Sequence, residues 1–265
     1  MGAIITSNDN KLPLTITGGG LDGINYNSPI ASAQVKSCIL FAGLFANGET
    51  SVTEPYKSRD HSEKMLKYLG ADIIENNNTV SIKKSELSAK TIEIANDISS
   101  ASFFMVASAI CPNSKLLIKN VGINPTRCGI IEVMKNMNAN IEIQNIRTIC
   151  NEPVADIIVE YSENMKGITI EGEIIPRLID ELPIIAILAS QTNGTTIIKN
   201  AEELKNKESD RIMLVCEMIK ALGGDITPTD DGFIINGKTD LIGNCIINPN
   251  HDHRIAMSAY IAGLI

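Results

Sequence analysis

Residues 180–200 read DELPIIAILASQTNGTTIIKN. A polar opening leads into a run of Ile, Leu, Ala and Ser, then an Asn-Gly turn, then a β-branched segment with the composition of a strand. The pattern recurs along the chain: residues 32–52 are SAQVKSCILFAGLFANGETSV, residues 100–121 are SASFFMVASAICPNSKLLIKNV, and residues 252–265 begin a fourth copy, DHRIAMSAYIAGLI. Each complete copy is followed by an amphipathic helical stretch, near 60–69, 129–137 and 208–222; Met65, Leu66 and Leu69 form the apolar stripe of the first. A short turn follows (LGAD, MNAN, LGGD), then a β-like pair: 73–82 reads as a hairpin around 76–79, and 225–235 as another around 230–232. The unit is helix–strand–helix–strand–strand, roughly 70–80 residues long. Its first helix is nearly apolar all round, which predicts burial, and its second has a polar face, which predicts an outer position. Units of this kind give an α/β (α+β) chain in which helices bury against sheets. Residues 4–16 supply β-like segments with no helix before them, and the chain stops inside the fourth copy. Both ends therefore read as unfinished, and open sheet edges point to self-association.

Composition narrows the function classes. The chain has 265 residues, net charge −8 and no Trp, so there is neither a broad basic surface nor an aromatic platform for nucleic acid. Small anionic ligands stay open, because local cations in a cleft outweigh the global sum. No apolar run reaches membrane-spanning length, and residues 1–11 are too polar for a signal peptide, which points to the cytoplasm. Cys38, Cys111, Cys128, Cys150, Cys216 and Cys245 form no CxxC pair, so zinc is not expected. Most lie in apolar runs and read as reduced thiols packed as small hydrophobes.

The polar residues that carry chemistry fall at helix starts. Residues 206–211, NKESDR, open the third amphipathic helix, with Asn206 as the expected N-cap. Lys207 and Arg211 are four apart, Glu208 and Arg211 three apart. Two cations beside free backbone N–H groups suit a phosphate or carboxylate, and an ordinary solvated first turn reads equally well from this segment. Residues 250–254, NHDHR, begin the fourth apolar helix, with Asn250 or Asp252 as cap and His253 and Arg254 near its N-terminus; His251 and His253 have no partner cluster for a metal. Ser32 caps the first apolar helix, with Ala33 and Gln34 in its first turn, Gln34 either exposed or against a ligand. Arg59 opens the helix after it, as a ligand cation or a solvated one. Asp180 is the expected N-cap of the third apolar helix and, beside a cleft, a candidate base for a hydroxyl proton. If the units pack with their helix starts converging, these charges meet in one anionic-ligand site.

ASAQVKS (31–37), SRDHSEKML (58–66), NPTRCG (124–129), KNKESDR (205–211) and DHRIAM (252–257) resemble, in this order and at these separations, the 5-enolpyruvylshikimate-3-phosphate (EPSP) synthase family. SAQVKS and RDHSEKML look like the bacterial class that is often glyphosate-tolerant. The resemblance covers nearly the whole chain. It implies two domains, each of three βαβαββ units, with the active site in the cleft between them: residues 1–94 the last third of the upper domain, residues 95–265 most of the lower one. It further implies transfer of the enolpyruvyl group of phosphoenolpyruvate to the 5-hydroxyl of shikimate 3-phosphate with release of phosphate, needing no cofactor and no metal. By the same resemblance Ser32, Ala33, Gln34, Arg59 and Lys207 would hold shikimate 3-phosphate, Asp180 would be the base, and Glu208 the acid/base at the methylene carbon. Arg211 and Arg254 would bind phosphoenolpyruvate, with His253 nearby. The family's early Lys-Ser motif and its glycine loop have no counterpart here, so the chain is expected to be impaired by itself. AND (95–97) stands where the family has PGD. Two other readings compete: a non-catalytic fragment that binds shikimate 3-phosphate, and the related transferase acting on UDP-N-acetylglucosamine.

Overall fold

The computed structural model describes residues 1–265, which divide into two compact units: Met1–Ile94 with Ile149–Glu152, and Ala95–Thr148 with Pro153–Ile265. In the first, β1 (Ile4–Asn8) and β2 (Lys11–Thr17) form an antiparallel hairpin exposed along its whole length. Then come β3 (Asn25–Asn27), α1 (Ala33–Gly43), β4 (Glu49–Thr53), α2 (His61–Leu69), β5 (Ile73–Asn76) and β6 (Thr79–Lys83). The sheet order is β3-β4-β6-β5, with β3 and β4 parallel and the other pairs antiparallel.

The second unit repeats this plan. α3 (Ile98–Ile110), β7 (Lys115–Gly122), α4 (Gly129–Asn136), β8 (Asn140–Ile149) and β9 (Glu152–Glu160) give a sheet ordered β7-β9-β8. β10 (Thr169–Ile170), α5 (Leu182–Ser190), β11 (Gly194–Ile198), α6 (Arg211–Ala221), β12 (Asp225–Thr229) and β13 (Gly232–Gly237) give the order β10-β11-β13-β12, and α7 (His253–Ala262) follows. Each copy opens with a short element parallel to the strand after its first helix: β3 beside β4, β10 beside β11, and a lone bridge between Asn96 and Val121 in the copy between them. The repeat is therefore βαβαββ.

Local sequence explains the joints. After α1 and α5 the chain reverses at Asn-Gly, with Gly48 at φ +85° and Gly194 at φ +87°, a region that costs glycine no Cβ clash. Gly129 serves close approach instead. A Cβ there would stand 2.9 Å from Leu178 Cδ2, so glycine lets the start of α4 lie against the segment that leads to Asp180.

Burial follows the expected pattern fully only in α5; in the same unit α3 leaves Phe104 and α7 leaves Tyr260 largely exposed. Every residue of α5 is buried, and α5 packs against α3, α6 and α7 in a core that also takes Met105, Ile130, Ile157 and Phe233. α1, expected to be buried all round, is not: Leu40 and Leu44 pack against Val52, Leu66 and Ile82, while Phe41 and Phe45 stay 49% and 73% exposed. In this unit α1 has a sheet on one side only, so its outer apolar stripe meets solvent. All six cysteines are free thiols, but only Cys216 packs as a fully buried hydrophobe, and Cys38 lies on the exposed face of α1. No helix is long and apolar enough to cross a membrane.

Candidate functional site

In the first unit a buried ion cluster holds the two loops that carry the candidate residues. Ser32 caps α1, its Oγ accepting from the Val35 N–H at 3.4 Å. Glu54, buried, accepts from the Ser32 N–H at 3.0 Å and the Ser58 N–H at 3.3 Å. Lys36, 1% exposed, lies 2.9 Å from Glu54 and 2.7 Å from Glu63, and its ammonium also donates to the Ser58 carbonyl at 3.4 Å. One apolar-helix lysine thus fastens the loop of Ser32, Ala33 and Gln34 to the loop of Ser58 and Arg59. Gln34 itself is exposed and Arg59 half-buried. α2 begins at His61, with Asp60 in the cap position and Arg59 one residue earlier. Burial pushes the Glu63 carboxyl above the ordinary range, against the pull of Lys36.

In the second unit the starts of α3, α5, α6 and α7 bring their charges together around Asp180. Arg211 is 1% exposed at the first position of α6. Its Nε donates to Asp252 Oδ2 at 2.8 Å, its Nη2 pairs with Glu208, and its Nη1 is 3.5 Å from Asp180 Oδ1. Arg254 places Nη2 3.8 Å from Asp180 Oδ2, and its Nη1 donates to the Asp180 carbonyl at 3.2 Å. Arg127, from NPTRCG, lies 3.8 Å from the same Oδ2. Burial alone would raise the Asp252 carboxyl, but hydrogen bonds from Arg211 and Ser209 and the Arg211 charge outweigh it and hold the carboxyl below the usual carboxylate range.

Several local expectations change. Asn206 does not cap α6. It ends a 3₁₀ turn, Glu202–Asn206; the backbone then extends at Lys207, and Asp210 is the cap, accepting from the Met213 N–H at 3.1 Å. Lys207 and Arg211 therefore share no helix face, and Lys207 pairs with Glu203. Asp180 is not a cap either. α5 begins at Leu182, with Pro183 in its first turn and Glu181 in the cap position, which leaves the Asp180 carboxylate turned to the guanidinium groups. Asp252, rather than Asn250, caps α7, accepting from the Arg254 N–H at 2.9 Å, and His253 is exposed beside it. Glu208 is half exposed, its carboxylate on Arg211.

Sequence reasoning did not single out Arg127, Ser99 or Glu181. Arg127 Nη2 donates to Ser99 Oγ at 2.8 Å and lies 3.2 Å from Asp97 Oδ1. The Ser99 hydroxyl donates to Glu181, which is 2% exposed. Burial pushes the Glu181 carboxyl up, opposed by the Ser99 hydrogen bond and the Arg127 charge. A carboxyl raised in the folded state binds its proton more tightly folded than unfolded. Its stabilising contribution is complete below the unfolded value and is lost as pH rises toward the folded one. Glu181→Gln removes this titration while keeping an acceptor for Ser99. The urea midpoint of the variant, relative to the parent, is expected to rise as pH increases above the ordinary carboxylate range. A flat difference would mean that the Glu181 charge carries no burial cost. Asp252 has the opposite sign: its contribution is present above the ordinary carboxylate range and is lost as pH falls below it.

The fold and these charges define a class: a repeated-βαβαββ protein that gathers arginines and carboxylates at helix starts, an arrangement suited to anionic ligands. Comparison with known proteins narrows it. The EPSP synthase (3-phosphoshikimate 1-carboxyvinyltransferase) family profile matches residues 1–265, and the chain belongs to this family. It is 54% identical to the 3-phosphoshikimate 1-carboxyvinyltransferase of Brevibacillus brevis over 254 residues, 96% of the chain and 59% of that protein. It is 51% identical to that of Geobacillus kaustophilus over 269 residues, 100% of the chain and 63% of that protein. The solved EPSP synthase of Acinetobacter baumannii superposes with TM-score 0.92 at 46% identity, covering 100% of the chain and 62% of that structure. The chain thus spans about three fifths of the length of the relatives it matches.

Proposed function

We propose that the chain serves the transfer of the enolpyruvyl group of phosphoenolpyruvate to the 5-hydroxyl of shikimate 3-phosphate, with release of phosphate. The observation that carries this reading is the placement of Asp180, in a member of this family, within 3.5–3.8 Å of the guanidinium groups of Arg211, Arg254 and Arg127. Arg211 and Arg254 take the phosphate and carboxylate of phosphoenolpyruvate. Lys207 and, in the first unit, Ser32, Ala33, Gln34 and Arg59 take shikimate 3-phosphate, and His253 stands beside the phosphoenolpyruvate cations.

The chemistry follows from these places. Asp180 accepts the proton of the 5-hydroxyl as its oxygen bonds to the enol carbon, and Glu208 gives a proton to the methylene carbon. In the second step the C–O bond to phosphate breaks, Glu208 takes a methyl proton back, which restores the double bond, and the hydroxyl proton held by Asp180 passes to the departing phosphate, so both carboxylates are regenerated. The fixed guanidinium groups of Arg211 and Arg254 stabilise the charge on the phosphate throughout. Residues 1–94 fill the place of the last third of the family's upper domain, and residues 95–265 most of its lower one. A cytoplasmic site of action agrees with substrates that are free metabolites.

The test is phosphate release from phosphoenolpyruvate by the chain, mixed with the part of the Brevibacillus brevis relative outside the matched stretch, with either shikimate 3-phosphate or UDP-N-acetylglucosamine as acceptor. Release is expected with the shikimate ester only. Release with the UDP-sugar only would reverse the assignment of the acceptor.

A further inference from the structure

Arg127 has no part in the proposed reaction, yet it is among the most firmly anchored cations near Asp180. Two side chains at the start of α3 hold it, and a third, Glu181, backs one of them. Asp97, the N-cap of α3, lies 3.2 Å from Nη2; Ser99 accepts from Nη2 at 2.8 Å; and the Ser99 hydroxyl is itself fixed on the buried Glu181 carboxyl. The remaining amino group, Nη1, points at Asp180 Oδ2, 3.8 Å away. Arg127 is 18% exposed, so the guanidinium is largely shielded and its field is screened little by water.

Three guanidinium groups face Asp180. Arg211 from α6 stands at Oδ1, Arg254 from α7 and Arg127 from the loop before α4 stand at Oδ2, and Glu181 adjoins it in the chain. Behind them, Asp252 and Glu208 share the charge of Arg211, and Asp97 shares that of Arg127. When an anionic ligand engages Arg211 and Arg254, their charge is divided between Asp180 and the ligand. Arg127 is the one of the three cations that the reaction leaves with its protein partners.

We infer that Arg127 is a positioning residue, anchored by Asp97, Ser99 and Glu181, that keeps the Asp180 carboxylate ionised and aimed while Arg211 and Arg254 bind the anionic substrate. The role assigned to Asp180 rests on the proposed function; the electrostatic coupling between Arg127 and Asp180 does not.

The coupling is read without substrate. In the chain labelled with ¹³C at aspartate carboxyl carbons, the Asp180 resonance is the one lost in Asp180→Asn, and its pH midpoint is compared between parent and variants. Arg127→Met is expected to raise the midpoint by about one pH unit, since a cation within 4 Å favours the carboxylate. Arg127→Gln keeps a side-chain amide that can donate to Ser99 or Asp97 and is expected to raise the midpoint in the same way, so the inference stays open to refutation if the Met variant does not fold. Arg127→Lys is expected to bring the midpoint back toward the parent value, which a purely structural role would not do. An unchanged midpoint in Arg127→Gln overturns the inference. Failure of the parent to release phosphate, with the midpoint still moving, would instead defeat the proposed function and leave the coupling in place.

Discussion

Replacing Arg211 by Met is expected to lower the unfolding free energy by about 3–5 kcal/mol, read from urea melts at pH 7. Arg211 and Asp252 are 1% and 0% exposed, so neither charge has water to turn to when the other is removed. Methionine fills much of the volume but leaves Asp252 with only the Ser209 hydroxyl, at 2.9 Å, and the Arg254 N–H. Most of the loss is therefore the cost of a stranded carboxylate. It follows that Arg211→Met combined with Asp252→Asn costs less than the sum of the two single changes. A loss under about 1 kcal/mol for Arg211→Met would mean that water reaches Asp252 in solution, and that the Arg211–Asp252 pair is not shielded as its burial implies.

The second large effect lies in the first unit. Lys36→Met is expected to destabilise by about 3–5 kcal/mol, because Glu54 and Glu63, 3% and 0% exposed, lose their shared cation. Glu63 offers a way to separate charge from packing. Burial already raises its carboxyl, so adding Glu63→Gln to Lys36→Met removes one stranded charge and is expected to recover a measurable part of the loss. No recovery would place the damage in the packing of α1 rather than in the buried charges. Because Glu54 also holds the N–H groups of Ser32 and Ser58, the same variant is expected to loosen both loops, seen as faster amide exchange at those two residues.

The repeat was legible because its signals are local. An apolar run of helical length, an Asn-Gly reversal and a β-branched segment each follow from neighbouring residues, and they mark α1, α5 and the strands after them. The opening strand of each unit was not legible: three residues in β3, two in β10 and a single bridge at Asn96 are too short for any periodicity. The helix starts were legible as places where charge gathers, through Ser32, Asp180, Arg211 and Arg254, but the capping assignments at Asn206 and Asp180 failed. A 3₁₀ turn and an early proline move those starts by a few residues, and residue type alone does not show such a shift.

Partners distant in sequence were the least legible. Arg127 meets Asp180 across 53 positions and Ser99 meets Glu181 across 82, and nothing near either residue announces the other. Lys36 reads as one lysine in an apolar helix; only the fold places Glu54 and Glu63 against it. Exposure of α1 was misread for a related reason. An apolar surface predicts a partner, and the sheet of the first unit covers only one side of the helix.

Asp180, among its arginines, is the proposed base of the enolpyruvyl transfer. The most direct measurement is phosphate release from phosphoenolpyruvate and shikimate 3-phosphate by the chain, complemented as above, with Asp180 or with Asn in its place. Asparagine keeps the shape and removes the proton acceptor, so release is expected to fall at least about a hundredfold while the fold and the binding of shikimate 3-phosphate persist. Release by Asp180→Asn at the parent rate would contradict the claim.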